Sequence, residues 1–164
     1  MSNFKLSHRS IGRLRGVDNK LIKVVKRAIE ITRVDFGVIE GLRTVERQKE
    51  LVAKGASQTM KSKHIDGFAV DLLAYSGGRA SWELSFYDDI ADAMKLAGIE
   101  NQVPIRWGAA WNVQDLTNWM GSSEEAMNHY IDTRRGQGRR PFIDAPHFEL
   151  IPDVEEREIV YYGT

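Results

Sequence analysis

Two short stretches of the 164-residue chain carry residue types that could do chemistry: KSKHIDGFAVD at 61–71 and IDAPHFEL at 143–150. In the first, Asp71 interrupts an apolar run, where an ionised carboxylate is costly unless it is paired or bound to a metal. His64 stands earlier on the preceding loop, and Gly67 between them lets the chain turn sharply enough for the imidazole to fold back. In the second, Asp144 and His147 sit at the mouth of another apolar strand. His64, His147 and Asp71 would offer Zn²⁺ two nitrogen ligands and one oxygen ligand, leaving the fourth tetrahedral position open to water, as in catalytic rather than structural sites. Asp144 would be the spare carboxylate, placed to take a proton from that water. A His–Asp pair with an unrelated second histidine fits the same spacing, so spacing alone leaves both readings open.

The elements that must position these groups are short and alternate along the chain. Asp18 is placed to cap a helix running to about Arg33, since Leu21, Val24, Val25, Ala28 and Ile29 recur at helical spacing. FGVIEG predicts a strand over Phe36 to Glu40, closed by Gly41, and a second helix runs from Thr44 to Gly55, with Arg43 between the two. GFAVDLLAY predicts a buried strand from about Phe68 to Ala74, with SGGR as the turn after it. A third helix is expected from roughly Trp82 to Ala97, with Phe86, Ile90, Met94 and Ala97 on one stripe and Gly98 as its stop. VPIRWG and HFELI predict two further strands. Between them lies a polar excursion, about 112–140, holding a short helix whose Ser122 and Glu125 have capping-box spacing. Irregular crossovers between helices and strands predict a small α+β fold rather than a doubly wound parallel sheet. The length suits one domain spanning 1–164.

Composition removes several classes of function. With no cysteine, disulfides, thiolate metal sites and cysteine nucleophiles are excluded, so any metal must be held by His, Asp or Glu. The formal net charge of +0 argues against a dedicated nucleic-acid binder. Charge is uneven, however: residues 1–33 carry nine Lys or Arg against Asp18 and Glu30, which suits either a solvated helix face or attraction to a polyanionic surface. The opening MSNFKLSHRSIGRL holds no signal-peptide core, and no run approaches the roughly 18 apolar residues of a membrane span. Residence in the cytoplasm without membrane insertion is the expectation.

The run SKHIDGFAVD resembles the S-x-H-x-x-G-x-A-x-D signature of the zinc D-Ala-D-Ala carboxypeptidase and L-alanyl-D-glutamate endopeptidase family, and DAPHFEL resembles its second signature. EGLRTVERQKELVAKGAS and RWGAAWN resemble the segments that flank them, so four matches follow in family order across residues 40–150. The similarity is greatest to the phage endolysin branch. It implies a short antiparallel sheet flanked by helices, of the Hedgehog/DD-peptidase type, with His64, Asp71 and His147 as zinc ligands and Asp144 as general base. Some relatives have Glu where Asp144 stands. Arg43 matches the family's arginine beside the metal, where a fixed guanidinium polarises the scissile carbonyl and holds the developing oxyanion.

The resemblance further implies hydrolysis of the L-alanyl-D-glutamate bond of bacterial peptidoglycan; a monomer made in the host cytoplasm is expected, and the missing signal peptide suggests its release to the wall through a holin pore. Two rivals stand beside it: a D-Ala-D-Ala carboxypeptidase or dipeptidase, and a non-catalytic wall-binding module that keeps zinc for structure. Ser62, on the first position of the signature, is either a hydrogen-bond donor to substrate or a turn residue. Trp107 and Trp111 are candidates for lining the cleft, although aromatic residues bracketing a strand end also suit a core. Glu149, two residues after His147 and on the same side of a strand, is placed to support that ligand. His8 and His129 have no matching partners and are expected on the surface. RRGQGRR, at 134–140, is expected as a mobile basic loop that touches an anionic envelope rather than nucleic acid, since it lacks stacking aromatics.

Overall fold

A strand whose alternate residues are Val70, Leu72 and Ala74 must bury one face, and in the computed structural model, which describes residues 2–151, all three are fully buried. The acidic segment PDVEEREIVYYGT lies outside the described residues. The elements in chain order are α1 (His8–Arg13), α2 (Asn19–Ile31), β1 (Asp35–Glu40), α3 (Val45–Ala53), β2 (Ala69–Ser76), β3 (Arg79–Ser81), α4 (Leu84–Asn101), β4 (Ile105–Trp107), α5 (Ser123–Gly136) and β5 (His147–Leu150). A 3₁₀ turn at Leu116–Asn118 lies between β4 and α5. The strands pair antiparallel in the order β1-β2-β5-β4, with β3 folded back onto β2 through the Gly77–Gly78 turn.

The sheet separates a core face from a functional face. Phe148, Ile105 and Trp107 join the alternate residues of β2 beneath the sheet, where α4 packs on β2 and β4 and α2 packs on α4. The helix α2 presents Leu21, Val24, Val25, Ala28 and Ile29 to this core, and Asp18 caps it by accepting from the Lys20 amide. The opposite face carries Asp71, His147 and Glu149. Register does the assembling: Glu40 of β1 pairs with Asp71 of β2, which pairs in turn with His147 of β5. Directly opposed residues project to the same face, so three strands place three polar side chains in one row. A shift in register between Val38 and Glu40 brings Glu40 into that row.

Several expected boundaries move. Gly98 lies inside α4 and does not stop it, because the helix continues to Asn101 and ends at Gln102 in the left-handed conformation. A Cβ on Gly98 would meet Thr117 Cγ2 at 2.8 Å and the Val103 carbonyl at 2.9 Å, so close packing accounts for that glycine. The helix in the polar excursion is not short: α5 has 14 residues and includes Arg134 and Arg135 in its last turn. Half of RRGQGRR is therefore helical, and only the part from Gln137 onward is loop, reversing at Gly138. Among the described residues no helix is long and apolar enough to cross a membrane.

Candidate metal centre

The centre begins at Gly67, where φ is +76° and an added Cβ would stand 2.4 Å from the Gly16 carbonyl. Only glycine suits that position, and the turn it permits returns His64 over β2. His64 is 2% exposed, and its Nδ1 lies 2.8 Å from the Gly41 carbonyl. A carbonyl can only accept, so Nδ1 carries the proton and Nε2 presents a lone pair. That Nε2 lies 3.2 Å from Asp71 Oδ1.

His147 is held in the mirror arrangement. Its Nε2 lies 2.9 Å from Glu149 Oε1 and its Nδ1 lies 3.3 Å from Asp71 Oδ1. Glu149 fixes one nitrogen as donor and leaves the other facing Asp71. Ligand atoms from His64, Asp71 and His147 all lie within 4.8 Å of one another, a group able to hold a metal ion. Its donor chemistry suits zinc, which takes imidazole nitrogen and carboxylate oxygen. Burial opposes the charge on Asp71, but hydrogen bonds from His147 and His64 outweigh it and hold the carboxyl below the usual range. Burial likewise opposes a charge on His147, yet Asp71 and Glu149 push its imidazole up to about 9. The pocket therefore favours positive charge between these carboxylates.

Asp144 reaches the cleft from the turn before β5. Gly108 and that turn interlock: the Asp144 amide donates to the Gly108 carbonyl at 2.8 Å and the Gly108 amide to the His147 carbonyl at 2.8 Å. Burial raises the Asp144 pKa, the charge of Asp71 raises it further, and His147, His64 and Arg43 offset part of the rise. Trp107 is not a cleft residue. It is fully buried on the core face, stacked on Phe148, with its Nε1 donating to the Ala145 carbonyl at 2.8 Å. It supports the 144–147 turn from beneath, because Trp107 and Phe148 are paired across β4 and β5.

Arg43 and Ser62 form the opposite wall. The Arg43 guanidinium grips Glu40 through Nε at 2.6 Å and Nη2 at 2.7 Å, and its Nη1 donates to Gln48 Oε1 at 2.7 Å. Two longer contacts, 3.4 Å to Ser62 Oγ and 3.7 Å to Asp71 Oδ2, point toward the centre. Ser62 Oγ also accepts from the His64 amide at 3.2 Å, so it is a turn residue whose own hydroxyl proton is still available to a ligand. Trp111 is half-buried at the cleft, 5.4 Å from the His147 ring and stacked on Phe142 at 6.4 Å. His8 and His129 are exposed, and the His129 ring lies tilted against Trp119 with centroids 5.3 Å apart.

Three contributors are not evident from motif spacing. Gln48 is the buried residue of α3; besides holding Arg43, its Nε2 donates to Ser57 Oγ at 2.9 Å and to the Thr59 carbonyl at 2.5 Å. Its signal is a polar residue on the one inward face of an otherwise exposed helix. Glu40 shows itself only through the register of β1 on β2, and Phe142 only through its position beside Pro141 at the return to the sheet. The resulting cleft has a volume of about 600 Å³, enough for several residues of an extended peptide.

Known proteins share the sequence and the fold that carry this site. The family described as phage L-alanyl-D-glutamate peptidase matches residues 1–151. The L-alanyl-D-glutamate peptidase of Escherichia phage T5 is 36% identical over 114 residues, covering 67% of this chain and 83% of that protein. The L-alanyl-D-glutamate peptidase of Listeria phage A118 is 30% identical over 83 residues, covering 51% of this chain and 28% of that protein. Among solved structures, the Serratia marcescens L-Ala D-Glu endopeptidase ChiX superposes with a TM-score of 0.67 at 33% identity, covering 90% of each chain. The match over residues 1–151 and the 36% identity to the phage T5 protein place the chain in the phage L-alanyl-D-glutamate peptidase family.

Proposed function

We propose that this peptidase is a zinc hydrolase that cuts the L-alanyl-D-glutamate bond of the bacterial peptidoglycan stem peptide. The convergence of His64 Nε2, Asp71 Oδ1 and His147 Nδ1 carries the proposal, because the other nitrogen of each histidine is already committed to Gly41 or Glu149. His64, Asp71 and His147 would hold the ion. Zinc, when bound, supplies Lewis acidity that brings the pKa of water toward about 7 and polarises a carbonyl.

The remaining work falls to the chain. Asp144 accepts the proton of the attacking water, a task that its raised pKa favours, and returns it to the amine of the departing D-glutamate. Arg43, pinned by Glu40 and Gln48, turns its loosely engaged N–H groups toward the scissile carbonyl and stabilises the developing oxyanion without having to reorganise. Ser62 offers its hydroxyl proton to the substrate backbone, and Trp111 with Phe142 bounds the cleft. The proposed setting is lysis of the host cell, after release from the cytoplasm through a holin pore.

Purified muropeptides test the bond. Mass spectrometry should find peptides with a new amino-terminal D-glutamate and glycan bearing terminal L-alanine. Release of free D-alanine instead would move the assignment to a D-Ala-D-Ala carboxypeptidase.

A further inference from the structure

The charges lining the cleft largely cancel in pairs. Glu40 is bound to Arg43, Asp71 to the two histidines and Glu149 to His147. Outside these pairs stand Asp144, assigned above as the base, and two lysines. Lys61 and Lys63 line the same cleft, and among the described residues neither forms an ion pair. Lys61 is exposed at the rim and Lys63 is half-buried. Their segment is fixed: Gln48 holds Ser57 and Thr59, and the Lys63 carbonyl accepts from the Phe68 amide at 2.9 Å.

A D-glutamyl substrate carries an anion that suits the two lysines. Glutamate has two carboxyl groups, and a peptide chain can continue through only one of them. Unless it is amidated, the other is a free carboxylate, only a few bonds from the nitrogen of the scissile amide. Arg43 is not free for it, because Glu40 holds two of its N–H groups and the rest are assigned to the scissile carbonyl. A half-buried lysine on a fixed loop has less side-chain freedom to lose than an exposed one when its ammonium takes a carboxylate.

Resting on the hydrolase reading, we infer that Lys63, backed by Lys61 at the rim, binds the free carboxylate of the D-glutamyl residue on the leaving side of the scissile bond. The cleft would then discriminate a D-glutamyl substrate from its amidated form. A carboxylamide keeps the size of the group but loses its charge, so the difference between the two substrates isolates what the ammonium contributes.

The test uses the zinc-loaded full chain and two synthetic stem peptides that differ only in that carboxylate, free or amidated. Wild-type enzyme should prefer the free carboxylate by about tenfold in kcat/KM, mostly through KM, as expected for one charge-assisted hydrogen bond. Lys63→Met should reduce the preference to about twofold or less, and Lys63→Arg should restore most of it; Lys61→Met should reduce it partly. A preference unchanged in Lys63→Met, or equal cleavage of both peptides by wild type, would overturn the inference and leave the hydrolase reading intact. Failure of wild type to cut either peptide at the L-alanyl bond would overturn that reading and this inference with it.

Discussion

His147 is gripped on one side by Glu149, and the consequence can be measured as metal affinity. Glu149→Gln keeps the shape but removes the charge that orients and enriches the imidazole. Zinc should bind about 10–100-fold more weakly, read by competition with a chromophoric chelator; unchanged affinity would mean that Glu149 only fills space. Asp144→Asn separates the base from the ligands. It should lower kcat by about 10²–10⁴-fold while zinc content stays at the wild-type level. A variant that loses zinc as well would place Asp144 among the ligands instead. His64, Asp71, Asp144 and His147 are conspicuous in the sequence because they stand in two short runs with apolar surroundings, and their proposed roles come from adding the resemblance. Arg43 is legible only through resemblance, and its supports Glu40 and Gln48 hardly at all, because their meaning lies in hydrogen bonds across elements. Trp107 is the instructive miss. Counting alternate residues from buried Ile105 puts it on the core face, and that count outweighs its closeness to the signature.

At the scale of elements, the meeting of β4 with the turn before β5 is the tightest joint in the centre. A Cβ on Gly108 would stand 2.2 Å from the Asp144 carbonyl and 2.9 Å from His147 Cβ. Gly108→Ala should therefore cost about 1–3 kcal/mol of stability in denaturant unfolding, with weakened zinc binding; a wild-type midpoint would show that the turn has room to move. On α4, burial pushes Asp88 from an ordinary 3.8 up to about 7, helped by the charges of Glu124, Asp89 and Asp92. A folded-state pKa above the unfolded one gives stability that is present below about 4 and lost as pH rises through about 7. Asp88→Asn should accordingly raise Tm at pH 8 and flatten the dependence of Tm on pH between those limits, which calorimetry at a series of pH values would read. The long helices and central strands are legible because their apolar periods are complete. The six-residue α1 and the three-residue β3 are not, since α1 buries only Ser10 and β3 buries nothing fully. Gly98 misleads because a glycine needed for close packing reads, in one dimension, like a glycine that ends a helix.

For the whole molecule, the antiparallel sheet with helices beneath it and a cleft above it was legible from alternation of short strands and amphipathic helices, together with resemblance. The row Glu40–Asp71–His147 was not, because register depends on pairing across distant segments. Charge on the molecular surface supplies a further expectation. Arg134, Arg135, Arg139 and Arg140 lie at and beyond the end of α5, and the last two precede Phe142 of the cleft by only a short link. Replacing all four with Ser should weaken sedimentation of the protein with purified cell walls, most clearly at low salt. Equal co-sedimentation would remove any envelope role from that patch.

The most direct test of the whole is a zinc titration of metal-stripped protein with activity on outer-membrane-stripped Gram-negative walls followed in parallel. One zinc per chain, activity rising in proportion to occupancy, and loss of both in His64→Ala and His147→Ala would be the expected result. Full wall clearance by protein proven free of metal, or a stoichiometric zinc site that survives both substitutions, would contradict it.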